Sequence, residues 1–120
     1  MPDPALLLDA VDRLSDTFRG LPQSRLLAGV PGFASRAEAG YALASSLADA
    51  GQRLEAPERP PARLPQAGPF AVGDQIAVTG HDLAAAIKET FAGGGDGVER
   101  AERALDAALR EVEATARLIA

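Results

Sequence analysis

Cysteine and tryptophan are absent from the 120 residues, while methionine, tyrosine, histidine and lysine each occur once. Without cysteine there is no disulfide and no thiolate metal site, and that absence carries no information about redox compartment. Aromatic residues make up only 4% of the chain, so any core is built from aliphatic side chains and alanine. Long apolar runs are missing too. The opening Met1-Pro2-Asp3-Pro4 has no basic stretch, and Ala5-Leu6-Leu7-Leu8 is far too short for a signal sequence or a membrane span, so a cytoplasmic protein is expected. Positive charge is in deficit, with 12 basic against 17 acidic residues and a net charge of -5. That balance opposes phosphate backbones and anionic lipid surfaces, and no local basic cluster reverses it, so neither nucleic acid nor membrane is expected as a partner. Arginine supplies almost all the basic charge and alanine is abundant, a bias we read as that of a GC-rich, bacterial genome.

What is present is helical periodicity. Between Val98 and Ile119, the residues Val98, Ala101, Leu105, Ala108, Leu109, Val112, Ala116 and Ile119 fall within about 60° of one line at roughly 100° per residue. Opposite them, Glu99 with Arg103, Asp106 with Arg110, and Glu113 with Arg117 are i,i+4 pairs with the acid first, the order that favours a helix. Such a stripe requires other helices to cover it.

Those helices can be placed. Asp3 caps a first helix from Pro4 to Arg19 whose face is Leu7, Val11, Leu14 and Phe18, with Gly20 expected as a left-handed stop. Leu6 and Leu8 flank that face, so the first turn can touch two neighbours or a second subunit. Gln23 to Ala28 predicts a short helix, ended by Gly29, Pro31 and Gly32. Ser35-Arg36-Ala37-Glu38 is a capping box opening a long helix to about Glu55, with Leu43, Leu47 and Leu54 beside Gly40, Ala44, Ala50 and Gly51. Residues 56–69 contain Pro57, Pro60, Pro61, Pro65 and Pro69 and predict an extended linker; at roughly 3 Å per residue it can return along a whole helix, leaving parallel and antiparallel packing both open. Arg59 and Arg63 do not complete an SH3-ligand pattern. Gln75 to Thr79 has strand-like composition, but Val72, Ile76, Gly80, Leu83, Ile87 and Phe91 align at helical period and no sheet partner exists, so Phe70 to Phe91 reads as helix. Gly93-Gly94-Gly95 breaks the chain, Asp96 is expected to cap the last helix, and the last two helices form an antiparallel hairpin.

The fold expected over residues 1–120 is therefore one all-α domain, four main helices plus one short helix packed as a bundle, with a Pro-rich crossover between the third and fourth helical elements.

Chemistry is sparse. His81 is the only histidine, and the helical wheel sets it away from the Ile76/Leu83/Ile87 face; Asp74, two turns away, is about 10 Å along the axis and too far to pair with it. A di-iron site requires Glu-x-x-His pairs, and the residue three before His81 is Val78. The glycines before the last helix lack the Lys-Ser/Thr of a P-loop, and Ser24, Ser45 and Ser46 have no histidine at motif spacing. No catalytic, cofactor-binding or metal residue is assigned, and no cofactor. The Gly40-Ala44-Ala48 series fits close packing inside the chain better than a dimer seam, and Tyr41, about 140° from the leucine face, either packs on a neighbour or marks a binding surface.

The function expected is that of a non-enzymatic interaction or regulatory module, homodimeric or bound to another protein through a helix face. A ligand-binding or enzymatic bundle with a pocket between helices, in which His81, Asp74 and Asp82 converge with groups from another helix, is the first alternative. A secreted small helical protein is the second: the size resembles the helical hairpins of type VII secretion, but without tryptophan their Trp-x-Gly turn does not exist here.

Overall fold

The computed structural model describes residues 3–120, and five helices account for most of them. Helix α1 (Pro4–Gly20) starts as expected, with Asp3 in extended conformation and its carboxylate accepting the Ala5 N–H at 2.9 Å. Its end differs from expectation. Gly20 has no positive φ; the helix stops at Leu21, which is extended at φ -70° and ψ 130°. Leu21 precedes Pro22, whose ring excludes the helical region for its neighbour, so proline supplies the stop assigned to glycine.

Helix α2 (Gln23–Leu26) is a single turn whose Leu26 is buried. Helix α3 (Arg36–Glu55) shows the serine half of the capping box, Ser35 Oγ accepting the Glu38 N–H at 3.0 Å. Arg36 fixes helix α2 and the far end of the chain together, its guanidinium donating to Arg25 O at 3.2 Å and to Ile119 O at 3.0 Å. A 3-10 turn (Pro69–Ala71) leads into helix α4 (Val72–Gly93). The helical reading of Gln75 to Thr79 is thus the observed one, and no strand forms among the described residues.

After α4, Gly94 and Gly95 take positive φ, 63° and 71°, which glycine adopts without strain, and helix α5 (Gly97–Ile119) returns antiparallel. Asp96 does not cap it with its side chain. At φ -65° and ψ -23° it already has helical geometry, and the carboxylate of a capping residue reaches the orphan N–H groups from the extended region.

Helix α4 lies at the centre and packs against all three other long helices. The order of contacts along each helix fixes direction. Gly40 of α3 lies against Phe18 of α1 and Val72 of α4, and Gly51 of α3 against Leu83 of α4, so α3 and α4 run parallel. Phe18 and Val11 of α1 meet Gly73 and Gly80 of α4, so α1 runs antiparallel to that pair, alongside α5. The crossover therefore returns the full length of α3, about 30 Å at 1.5 Å per residue, before α4 begins.

One hydrophobic cluster unites the helices: Leu7, Val11, Leu14 and Phe18 from α1, Leu43 and Leu47 from α3, Ile76, Leu83 and Ile87 from α4, and Leu105, Val112 and Ile119 from α5. The two buried hydroxyls are satisfied, Ser15 Oγ donating to Gly73 O at 2.7 Å and Thr79 Oγ1 to Gln75 O at 2.8 Å. Several expected core positions are not fully buried: Leu54, Val98 and Leu109 are half-buried. Phe91 is half-buried at the mouth of the α4/α5 turn, and Ala116 is exposed although it lies on the apolar stripe of α5. No helix among the described residues is long and apolar enough to cross a membrane.

Candidate functional site

Three places combine geometry with chemical character. The first is the polar edge of the α1/α4 seam. His81 Nε2 lies 2.6 Å from Asp12 Oδ1 of α1, and both side chains are about half exposed. An ionised carboxylate only accepts, so in this pair Nε2 carries the hydrogen. One heptad away, Arg19 of α1 donates to Asp74 of α4 from Nε at 2.9 Å and from NH2 at 2.7 Å, and contacts Asp16 at 3.3 Å. The hydrogen bond to Asp74 raises the pKa of Arg19 above its ordinary value, with Asp16 adding to the effect.

In the alternative reading His81, Asp74 and Asp82 converge with groups from another helix. His81 and Asp74 each take a partner from α1, Asp12 and Arg19, in two separate pairs, while Asp82 is exposed. No group of three or more metal-ligating side chains occurs among the described residues. A hollow of about 330 Å3 beside His81 is walled mostly by Pro4, Leu8, Ala84 and Ala85, with Asp3 and Lys88 at its edge.

The second place surrounds Tyr41. Its hydroxyl donates to Leu64 O of the Pro-rich segment and ties that segment down, while its ring packs against the hydrophobic core. Two glutamines act alongside. Gln52 uses both ends of its amide on Ala62, accepting its N–H at 2.5 Å and donating to its carbonyl at 3.4 Å, and Gln75 Nε2 donates to Pro65 O at 2.8 Å. Leu64 packs against the aliphatic core. The crossover is thus extended, as its prolines predict, yet docked on α3 and α4. Beyond Tyr41 a cleft of about 630 Å3 opens between the α2–α3 loop and the end of this segment, with Leu27, Phe33, Ala37, Val72 and Pro69 among its walls.

The third place is a trough along the α1/α5 seam, about 540 Å3, with Leu14 and Val112 as its floor and Ala10, Leu109 and Ala116 on its sides. Arg13 stands on the α1 rim and Glu113 on the α5 rim. Leu6, 55% exposed, lies one turn before Ala10 and extends the apolar surface along α1.

Sequence reasoning located none of these partners, because helical periodicity ranks residues around an axis and says nothing about height between helices. One signal was available. Val11-Asp12 and Phe18-Arg19 are seven apart, as are Gly73-Asp74 and Gly80-His81, and antiparallel packing brings each apolar or glycine contact together with its polar neighbour.

Compared with models of known protein families, with curated proteins and with solved structures, the chain matches none.

Proposed function

We propose that this is a non-enzymatic helical module that acts by protein contact through a helix face, with a second copy of the same chain as the first partner. The observation that carries this reading is the open α1/α5 trough. The apolar stripe of α5 is wider than the chain itself covers: Ala116 is exposed and Leu109 only half-buried. Side chains placed on an amphipathic face contribute to stability only when something removes them from water.

Light scattering over a concentration series, with thermal melts at each concentration, tests it. The expected result is a mass rising toward twice that of the 12.3 kDa chain and a melting temperature that rises with concentration. A constant monomer mass with concentration-independent melting contradicts self-association.

A second reading has its own observation, the cleft beside Tyr41. Its volume lies within the few hundred to roughly 1,000 Å3 typical of small-molecule sites, and its walls are largely apolar. Tyr41 is the sole tyrosine and there is no tryptophan, so intrinsic fluorescence reports this one position. Titration with an anilinonaphthalene sulfonate dye that changes tyrosine emission and raises the melting temperature supports a ligand site there; no response counts against it.

A further inference from the structure

Three interhelical seams compare informatively. The α1/α4 seam is bridged by Asp12–His81 and Arg19–Asp74. The α3/α5 seam is bridged by Ser46 Oγ donating to Glu111 at 2.8 Å and by Arg36 donating to Ile119 O. The α1/α5 seam has no such bridge. Arg13 has no carboxylate within 4.0 Å among the described residues, and Glu113 is held only by Arg117, one turn along its own helix, in an exposed pair. Opposite charges thus stand on the two rims of an apolar trough without engaging each other across it.

We propose that a second copy of this chain closes the trough, related by a twofold axis that runs along it, parallel to α1 and α5. The proposal rests on the self-association reading and specifies its geometry. In a face-to-face twofold contact the axis lies in the plane of contact, and the same patch serves both copies. An axis along the helices sets α1 of each copy over α5 of the other, running the same way at the same height. Arg13 then faces Glu113 of the second copy, twice by symmetry. An axis across the helices at the middle of the trough, where Arg13 lies between Ala10 and Thr17, sets α1 over α1 and brings the two Arg13 side chains toward each other, which like charge disfavours. The rims therefore select the first arrangement.

The same arrangement covers the positions the single chain leaves bare. Leu6, Leu109 and Ala116 come to lie inside a layer of four helices, and the small Ala10 and Ala116 allow the helices to approach closely. A two-helix face about 30 Å long and about 20 Å wide offers on the order of 600 Å2 per copy, below the roughly 800 Å2 of a standard interface, which places the contact among weak, transient associations.

Sedimentation equilibrium with charge-reversed variants tests the proposal. Arg13→Glu and Glu113→Arg, both at exposed positions, are each expected to weaken self-association at least tenfold. An equimolar mixture of the two is expected to restore it, because in the mixed pair both cross-copy contacts are of opposite charge. The orientation is read separately in this cysteine-free chain: Thr17→Cys mixed with Ala116→Cys is expected to form a disulfide between the two variants in preference to either homodimer. A dimer that ignores both charge reversals, or Thr17→Cys joining to itself in preference, overturns the proposed face and axis while self-association stands. A monomer at every concentration overturns the proposal together with the reading beneath it.

Discussion

Val11 and Gly80 meet so closely that a Cβ on Gly80 would stand 2.5 Å from Val11 Cγ1, and the next residues along each helix, Asp12 and His81, pair at 2.6 Å. The same unit recurs one heptad away, where Phe18 meets Gly73 and Arg19 pairs with Asp74. Two small residues on α4 thus bring α1 near enough for polar neighbours to join at the rim, and each step of that sequence is open to measurement.

Gly80→Ala sets two effects against each other. Alanine is favoured over glycine within a helix by about 1 kcal/mol, whereas overpacking a fixed core costs about 1–3 kcal/mol. Val11 is β-branched and stiff at χ1, and three of its atoms lie within 3.0 Å of the added carbon. The clash is expected to win, with a net loss of about 1 kcal/mol or more in urea unfolding. Val11→Ala in the same chain should recover part of the loss; two independent, additive losses would refute the contact.

Asp12 and His81 predict a small coupling. Both are half exposed, and pairs of this kind are worth about 0.2–1 kcal/mol. A double-mutant cycle with Asp12→Asn and His81→Gln should return a value in that range. If His81 instead belonged to a metal site, zinc would raise the melting temperature of the parent and not of His81→Gln; the expected response is the same for both.

Tyr41→Phe removes one hydrogen bond to the crossover and leaves the ring. A loss of about 0.5–1.5 kcal/mol is expected. The telling readout is local: the Ala62 amide, held by Gln52 on the same docked segment, should exchange faster with solvent while amides of α1 keep their protection. Uniform loss of protection would show that the segment is not a separable layer.

Arg36→Gln should loosen the end of α5. Charged hydrogen bonds contribute about 1.5–3 kcal/mol when well formed, and this guanidinium holds carbonyls on two elements. Faster amide exchange in the last turn of α5 is expected, with its middle turns unchanged. Arg36→Lys should rescue only part, since an ammonium lacks the planar fork that reaches both carbonyls.

The fold was legible where one helix decides the matter alone. The Asp3 cap, the Ser35 cap, the stripe of Ala101, Leu105, Ala108 and Val112, and the helical state of Gln75 to Thr79 follow from local geometry and period. Where tertiary context decides, local reasoning failed. Gly20 lost its role to Pro22, and Asp96 sits in helical geometry that withdraws it as a cap. The parallel course of α3 and α4 depends on where Gly40 and Gly51 find their partners, which no periodicity encodes. The sequence pattern does not reveal the partners of Tyr41, Gln52 and Gln75, because each is the main chain of a distant segment, and main-chain groups leave no mark in a side-chain pattern. Ala116 is the instructive case: the stripe placed it inside, and the single chain leaves it outside.

Ala116 also offers the most direct test of the account. It is exposed in the single chain, so Ala116→Glu should leave the melting temperature of dilute protein unchanged. If the α1/α5 trough is the contact surface, sedimentation equilibrium at high concentration should show the parent as a dimer and Ala116→Glu as a monomer. Equal masses for the two, whether both are dimer or both monomer, would contradict it.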